Sequence, residues 1–318
     1  MQVSSISICG RLILNMHSLN NEGGEGNQIM TRQVTIIDEL GQFSTVNAVS
    51  GDMLKHIQSE HFWSIAVKED LPLSESCRLF SPNRITEDEK FTDSFTKDTP
   101  DSIVLDKVIQ DSCLSEVEGI LITNNNKNVP RKSCIEFGWL IGLPESTRTE
   151  NYFHVKLVSD SGTKKSGEGA NLGQNIFHRP ANSGIYALVS NYDIGRVGYN
   201  DISKKYVISD DDRRKRVNAL LQSILYTFIQ PNGAMRNTQN PHIVNFSGII
   251  TISSGNVPAP TVSPINSAYN TEVVAIANNL NKIVPDSISV FEFESMSSFS
   301  EKFAQIINEA DPYKLKEC

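Results

Sequence analysis

The chain has 318 residues, of which 39% are hydrophobic and 21% are charged, and its net charge is −8 at pH 7. This length fits one large domain with insertions or two domains, and the composition is that of a soluble globular protein. We expect neither a membrane span nor a signal peptide, because apolar runs are short and alternate with serine near the N-terminus. The acidic balance disfavours a free-standing nucleic-acid binder but permits one whose cations line a single groove.

The cysteines, at positions 9, 77, 113, 134 and 318, form no CxxC pair. An odd number of cysteines, without the spacing of a metal-binding pair, favours a reducing, cytoplasmic setting and argues against a zinc site. Of the scattered histidines, His56 and His61 miss the i, i+4 spacing of a metal-binding pair. The sequence therefore predicts no metal or other cofactor.

The first predicted element is an alternating strand near the N-terminus, with one apolar face and one face that carries a cation, an amide and an imidazole. A polar Asn/Gly-rich loop over residues 20–27 follows, and it tolerates the close approach of a ligand. Such a strand suits a phosphate backbone, although an ordinary sheet with one solvated face explains the pattern as well. The apolar face comprises Ile6, Ile8, Leu12, Leu14 and Met16, and the polar face includes Arg11, Asn15 and His17.

A helix is predicted to begin after two further strand-like runs. Ser50 is a good N-cap, Asp52 suits the first turn, and apolar residues at helical spacing continue to about Val67. Free backbone N–H groups at this N-terminus, next to a polar sheet face, are suited to a phosphate.

Residues 73–112 are polar and acid-rich, which indicates an insertion with short helices. Residues 160–182 form a long Gly-rich loop, which is typical of functional or disordered segments. Its GEGANLG stretch lacks the spacing and the following helix of a dinucleotide site. The cations Lys164 and Arg179 would lie on a loop that orders on a polyanion, or on an ordinary surface loop.

A second helix is capped by Ser209, with three aspartates in its first turn and an apolar stripe to Phe228. Its RRKR segment pairs with these aspartates at i, i+4, which favours a solvated face over a nucleic-acid patch. The order of elements predicts an α+β domain with an antiparallel or mixed sheet, for which a split β-α-β unit is the simplest match.

Several stretches resemble one family. The N-terminal signature of the CRISPR-associated DevR family is similar to the stretch GRLILNMHSLNNEGGEGN followed by VSGDMLKHIQSEHF. This family is the repeated "Cas seven" backbone subunit of Cascade-type (type I) effector complexes. The resemblance continues in family order through SCIEFGWLIGLP, SGIYALVSNYDIGRVGYND and NGAMRNTQNPHI. It is weaker over residues 71–118 and the last fifty residues.

The resemblance implies an RNA-recognition-motif-like (ferredoxin-like) palm that is built from residues 1–70 and 119–318. It also implies a finger-like insertion at residues 71–118 and a thumb-like loop at about residues 160–182. It implies a non-catalytic, cytoplasmic subunit that polymerises along the spacer of the guide RNA (crRNA). The subunit would grip the RNA backbone and leave the bases free to pair with target DNA. The implied partners are guide RNA, target DNA through the guide, other copies of the chain and other effector subunits, with no membrane.

The resemblance also implies which residues contact the RNA. These belong to the polar strand face, the start of the first helix, the thumb-like loop and a glycine loop after the second helix. They are Arg11, Asn15, His17, Asn20, Asn21, Ser50, Gly51, Lys55, His56, Lys164, Arg179, Gly233, Arg236, Asn237 and His242.

Three alternatives remain open at this point. The chain could be a metal-independent ribonuclease that uses His17, His56 or His242 as a general acid or base. It could be a transcriptional regulator, although no helix-turn-helix spacing is present. It could also be a structural protein with no nucleic-acid partner, which would leave the Asn/Gly-rich loops without a purpose.

Overall fold

The computed structural model describes residues 1–157 and 174–317. Within these ranges the strands are β1 (Gln2–Val3), β2 (Ser5–His17), β3 (Asn21–Glu25), β4 (Gln28–Thr31), β5 (Gln33–Ile37), β6 (Phe43–Val49), β7 (Ile120–Ile122), β8 (Val129–Arg131), β9 (Ile135–Phe137), β10 (Leu140–Leu157), β11 (Gln174–Asp193), β12 (Tyr199–Asn200), β13 (Lys205–Tyr206), β14 (His242–Ser253), β15 (Ile288–Phe293) and β16 (Asp311–Pro312). The helices are α1 (Gly51–Lys68), α2 (Glu75–Arg78), α3 (Glu89–Thr92), α4 (Asp101–Asp111), α5 (Cys113–Glu118), α6 (Asp210–Ile229), α7 (Tyr269–Ile283) and α8 (Met296–Glu309), and short 3₁₀ turns lie at Arg84–Glu87, Asn124–Asn126 and Ile194–Arg196. Among these helices, none is both long and apolar enough to cross a membrane.

The N-terminal strand β2 lies inside a ten-stranded sheet, because both of its edges are paired. It runs antiparallel to β11 on one side and to β14 on the other, and the sheet follows the order β15-β14-β2-β11-β10-β6-β5. Along the chain, β2, α1, β10, β11, α6 and β14 form a β-α-β-β-α-β series whose strands lie in the order β14-β2-β11-β10. The predicted α+β class with an antiparallel or mixed sheet is confirmed.

Helices α1 and α6 cover one face of the sheet. The side chains of Ile6, Ile8 and Leu14 are fully buried there, in one cluster with Leu54 of α1 and Leu220 of α6. Burying one side chain of this size stabilises a fold by about 1.5–3 kcal/mol. The alternating strand therefore attaches the sheet to both helices.

The opposite face of β2 is covered by residues 258–267 and α7. The Ser7 hydroxyl donates to the Ala259 carbonyl at 3.3 Å. Cys9 belongs to a small second core together with Tyr269 of α7. The proline-rich segment is therefore a layer over the sheet, and the strand face predicted to be polar and open is largely closed.

The alternation along β2 ends at a β-bulge. Met16 adopts a left-handed backbone conformation (φ 56°), and the pairing with β11 shifts register between Asn182 and Gly184. At the bulge the side chains change faces, so that Met16 is 41% exposed and His17 is fully buried. The predicted faces are wrong at these two positions, because a two-residue period fails where the strand contains an extra residue.

Residues 71–118, which we call the insertion, contain helices α2 to α5, and part of this segment packs in a small core shared with the β7–β8 hairpin. Ile85, Phe91 and Val108 are buried in this core, together with Ile122 and Val129 of the β7–β8 hairpin. The predicted short helices are confirmed. The insertion contains eleven acidic and five basic residues, so it carries most of the net negative charge of the chain.

Strands β10 and β11 form a long antiparallel hairpin, whose described pairing extends to Leu157 opposite Gln174. Residues 174–182 belong to β11, so the loop predicted over 160–182 is wrong for that part. The pairing with residues 149–157 supplies hydrogen bonds that local composition does not reveal. Lys164 and the rest of the predicted thumb-like loop fall in 158–173, outside the described residues.

The basic segment of α6 lies partly in the interior. Ser209 caps the helix as predicted, since its Oγ accepts a hydrogen bond from Asp212 N at 3.1 Å. Arg213 and Arg216 are buried, however, and they bind backbone carbonyls and Glu116. The predicted solvated face is wrong for Arg213 and Arg216, which have tertiary partners, whereas Arg214 and Lys215 are exposed as predicted.

Glu116 of α5 joins two buried arginines from different elements. Its Oε2 lies 2.5 Å from Nη1 of Arg216 in α6, and its Oε1 lies 3.5 Å from Nη2 of Arg131 in β8. Arg131 also binds Asp201, with 2.9 Å between Nη1 and Oδ2. This ionic cluster attaches the insertion to α6 and to the turn before β13.

We expect Glu116→Gln to lower the free energy of unfolding by about 3–5 kcal/mol, because it leaves two buried guanidinium groups without their shared carboxylate. Urea denaturation followed by circular dichroism measures this loss. Glu136→Gln is the matched control, since it removes an exposed ion pair with Lys132 (2.9 Å) and is expected to cost less than about 1 kcal/mol. Equal losses in the two variants would mean that the buried cluster contributes no more than a surface pair.

Candidate nucleic-acid interface

The C-terminal end of β2 meets two other segments that are distant in the sequence. The Asn20 Oδ1 accepts a hydrogen bond from the backbone N–H of Ser50, at the start of α1, at 2.8 Å. The Leu19 carbonyl accepts one from Ala234 N, in the loop before β14, at 3.0 Å. Residues predicted from separate parts of the chain therefore lie together at one end of the sheet.

We call the outward-facing part of this end the convergent surface. It contains the predicted residues there whose side chains are exposed or half-buried. Asn15 lies opposite His242 in the pairing of β2 with β14, and Arg179 Nη1 donates to Thr238 Oγ1 at 2.9 Å. The members of the surface are Asn15, Asn21, Arg179, Arg236, Asn237 and His242.

The loop before β14 orients Arg236. A Cβ at Gly233 would lie 2.9 Å from the carbonyl oxygen of Leu19, so the loop needs a glycine to approach the chain just after β2 this closely. The guanidinium of Arg236 donates to the side-chain oxygens of Asn232 and Asn240 and stays half-buried. A guanidinium has five N–H donors, so this arrangement fixes the charge while donors remain for an anion.

Asn20, Ser50 and Gly51 act mainly within the fold. Ser50 is the N-cap of α1, as predicted, and its Oγ accepts from Met53 N at 3.2 Å. A side chain at Gly51 would overlap the carbonyl oxygen of Phe137, so glycine here lets β9 pack against the helix. These three residues therefore position the start of α1.

The distal part of the β10–β11 hairpin adds aromatic side chains that were not predicted from the sequence. The Phe177 ring stacks on His154, with centroids 5.6 Å apart and planes 12° apart. The Arg179 guanidinium lies 4.8 Å from the Phe177 centroid, and Tyr152 is paired opposite Arg179. Flat groups of this kind stack with unpaired bases. Only the register of the two strands reveals that they are neighbours.

Arg11 lies away from the convergent surface. Its Nε and Nη2 donate to the Pro264 carbonyl at 3.0 and 2.8 Å, and its guanidinium lies 5.6 Å from the centroid of the Tyr269 ring. The expectation that Arg11 lies on an open palm face is corrected, because residues 258–267 cover it.

His17 is also removed from solvent. Its ring contacts Tyr186 edge-on at 5.1 Å, and burial lowers the pKa of His17 to about 3. The side chain is fully buried, so a direct contact between this imidazole and RNA does not fit the structure. The bulge at Met16 is the cause, because it turns His17 into the core.

A cavity of about 570 Å³ lies between α1 and the insertion. Lys55 and His56, both predicted, line it together with Arg84 from a 3₁₀ turn of the insertion. Lys55 Nζ donates to the Glu118 carbonyl at 2.7 Å, and burial lowers the pKa of Lys55. Arg84 was not predicted as part of the site, because nothing in the local pattern of the insertion connects it to α1.

The Glu118 carboxylate is buried behind this cavity. Neither of its oxygens has a hydrogen-bond partner within residues 1–157 and 174–317. Burial raises the pKa of Glu118 to about 7, although the Arg84 and Lys55 charges and the nearby Gln58 amide oppose the rise. The group therefore changes charge close to neutral pH, beside two cations.

We expect the folded chain to lose stability as the pH rises from about 4.5 to 7, because ionised Glu118 is disfavoured in the fold and not in the unfolded chain. The stabilisation by protonated Glu118 is fully present below the pKa of the unfolded state and is lost as the pH rises through the pKa of the folded state. It amounts to about 1–3 kcal/mol. Urea titrations at pH 5 and pH 8 measure it. Glu118→Gln should weaken this pH dependence, and an identical pH dependence in both proteins would contradict the assignment.

Within residues 1–157 and 174–317, no group of three or more His, Cys, Asp or Glu side chains is arranged to hold a metal ion. The cysteines in these ranges are free and buried. Burial raises the pKa of Cys9 to about 11 and that of Cys134 to about 12, so both thiols stay protonated and unreactive at neutral pH.

One curated protein is similar to this chain in sequence, and two solved chains are similar to it in structure. A curated protein of Methanocaldococcus jannaschii, "CRISPR-associated protein Cas7/Cst2/DevR", is 26% identical over 322 residues, covering 95% of this chain and 98% of that protein. A solved chain from a "CRISPR RNA-guided surveillance complex, pre-nicking" superposes with a TM-score of 0.50 at 11% identity, covering 98% of this chain and 96% of that one. A chain from a second "CRISPR RNA-guided surveillance complex" gives a TM-score of 0.49 at 12% identity, with coverages of 96% and 98%.

The family comparison covers the greater part of the sequence. The family described as "CRISPR-associated negative auto-regulator DevR/Csa2" matches residues 8–274, which include β2, α1, the central hairpin, α6 and β14. The first of the solved chains shares the fold across nearly the whole length. This protein belongs to the CRISPR-associated DevR family.

Proposed function

We propose that this chain is a non-catalytic guide-RNA-binding backbone subunit of a type I CRISPR surveillance complex. It polymerises along the crRNA spacer and presents the spacer for pairing with target DNA. The observation that carries the proposal is the convergent surface, where β2, the distal part of the hairpin and the loop before β14 bring amides and arginines together.

The chemistry of the convergent surface favours contact with the RNA backbone. Asn15, Asn21 and Asn237 offer amides to phosphates and 2′-hydroxyls, and Arg236 offers a fixed positive charge. Backbone contacts position a strand without reading its sequence. A guide that must pair with any target requires this kind of contact.

Stacking groups beside these amides fit the same ligand. Phe177, His154 and Tyr152 lie in the distal part of the β10–β11 hairpin, next to Arg179. Single-stranded RNA offers splayed bases to such rings, and a paired duplex does not. We propose that the hairpin is the thumb-like element of the subunit.

The strand order supports the proposed palm. The series β2, α1, β10, β11, α6 and β14 has the order expected of an RNA-recognition-motif-like unit built from residues 1–70 and 119–318, with residues 71–118 as the finger-like element. In this proposal the RNA follows the end of the sheet, since residues 258–267 cover the open face around Arg11.

The names of the relatives support the proposed partners. The solved chain with a TM-score of 0.50 comes from a complex titled as RNA-guided, and the archaeal relative is named as a CRISPR-associated Cas7 protein. We propose guide RNA, target DNA through the guide, further copies of this chain and other effector subunits as partners, in the cytoplasm.

The two nucleic-acid alternatives have less support. A ribonuclease that uses His17 as a general base would depend on a buried imidazole whose pKa is about 3, which makes it a weak base at neutral pH. A regulator, as the family description suggests, would need a cationic DNA-binding face. The acidic insertion and the buried Arg213 and Arg216 do not provide one.

The first experiment combines the purified chain with a single-stranded RNA of guide length. Light scattering and native gels follow assembly, and a denaturing gel follows RNA integrity. A ladder of higher-order complexes on intact RNA supports the backbone role. Specific cleavage would move the assignment to a ribonuclease, and a preference for duplex DNA would favour the regulator.

We expect Arg236→Ala to weaken RNA binding about tenfold, equally for all spacer sequences, and to reduce the slope of log K against log[salt] by about 0.7–1. Lys55→Ala tests the cavity beside α1 in the same way. Fluorescence anisotropy at several salt concentrations, with three unrelated spacers, measures both quantities.

Lys97→Ala is the control for these variants, because it removes an exposed cation of the acidic insertion. Lys97 belongs neither to the convergent surface nor to the lining of the cavity beside α1. It should leave affinity and salt slope within about twofold of the unmodified chain. A loss in Arg236→Ala that varied strongly with spacer sequence would contradict a backbone contact. Thermal melting of each variant separates lost binding from lost folding.

A further inference from the structure

The helical insertion contains a cavity that the proposed RNA contacts do not use. It has a volume of about 420 Å³ and lies among α2, α3 and the end of α4. Its walls include Leu73, Ile85 and Phe91, which are apolar and buried. A volume of this size accommodates one long side chain or a small ligand.

Two polar groups in this cavity are buried and incompletely bonded. Asp88, 8% exposed, accepts hydrogen bonds from the backbone N–H (2.8 Å) and hydroxyl (2.5 Å) of Ser76 through Oδ1. Its Oδ2 and the Ser74 hydroxyl are buried without a hydrogen-bond partner in the described part of the chain. An unsatisfied buried carboxylate oxygen is costly, so an occupant that donates a hydrogen bond would be stabilised here.

The charges around the cavity favour a cationic donor. Glu75 and Asp111 line it besides Asp88, against the cations Arg78 and Lys90. The Arg78 guanidinium is directed toward Asp70, with 4.0 Å between Nη2 and Oδ1. The lining thus has a surplus of acid, in an insertion with eleven acidic and five basic residues.

We propose that this cavity binds an arginine side chain presented by a partner protein. The guanidinium donates to Asp88 Oδ2, and the apolar walls cover the methylene stem. A planar group with several donors can bind the carboxylate and the Ser74 hydroxyl together. A nucleic acid is disfavoured as the occupant, because its phosphates would face the acidic insertion.

The surroundings of the cavity suit a protein surface. Leu79, one residue beyond Arg78, is 80% exposed. Exposed apolar side chains beside a pocket that accepts an anchor residue are typical of protein interfaces, where arginine is enriched among the residues that carry affinity. The exposed carboxylates of Glu75 and Asp111 would also steer a basic segment toward the pocket.

The test uses the full chain and two blocked pentapeptides, Gly-Gly-Arg-Gly-Gly and the same peptide with citrulline in place of arginine. Citrulline keeps the shape of arginine and removes its charge. NMR titration of the protein gives both affinities. We expect the citrulline peptide to bind at least tenfold more weakly. Equal binding of the two peptides, or binding of neither, overturns the proposal.

Three variants assign the binding to the cavity. Asp88→Asn keeps an oxygen for Ser76 and removes the charge, and Asp111→Lys reverses an exposed charge at the lining without touching the buried hydrogen bonds. Each of these two substitutions should weaken binding of the arginine peptide at least fivefold. Asp98→Lys reverses an exposed charge of the same insertion outside the cavity and should change the affinity less than twofold.

The outcomes separate a built site from general electrostatic attraction. If Asp98→Lys weakens binding of the arginine peptide as much as Asp111→Lys does, the acidic surface alone attracts the peptide. That result overturns the proposal. If Asp88→Asn fails to fold, the comparison of Asp111→Lys with Asp98→Lys decides the question. RNA assembly by Asp111→Lys is expected to be unchanged, so the test is independent of the proposed function.

Discussion

The bulge at Met16 is the constraint on which the candidate site depends. A regular strand would carry Asn20 past the start of α1 and would leave His17 on the sheet surface. The left-handed backbone at Met16 instead turns the chain inward, so that the Asn20 side chain reaches the N–H of Ser50. The cost of a left-handed residue without a β-branch is about 1 kcal/mol, and buried hydrogen bonds at this end of the sheet offset it.

The second constraint is electrostatic. Glu116, Arg131 and Arg216 are removed from water together, which is tolerable only because each charge has an opposite partner and further hydrogen bonds. The cluster joins the insertion to α6 and to β8 through directional contacts, whereas apolar cores join such elements without a preferred orientation. The lining of the α1 cavity, which combines Lys55 from the helix with Arg84 from the insertion, therefore depends on a charge cluster that lies outside this lining.

Local signals in the sequence predicted the local structure well. The alternation in β2, the caps at Ser50 and Ser209 and the α+β class all follow from periods and caps that operate within a few residues. The local structure of the candidate site was harder to predict from the sequence. A bulge has no sequence signal as clear as that of a cap, and the RRKR segment offered aspartate partners so near that its buried role was hidden. The stacking of Phe177 on His154 depends on the register between two strands, which a single sequence does not contain.

The topology of the sheet has a consequence for synthesis of the protein. Both neighbours of β2 come much later in the chain, since Ser5 pairs with Asp193 on one edge and with Ser253 on the other. While the nascent chain leaves the ribosome at about 5–20 residues per second, the first long strand has two unpaired edges until most of the protein has been made. The second edge of β2 can therefore be paired only after residue 253 has left the ribosome, so the sheet is completed late in synthesis.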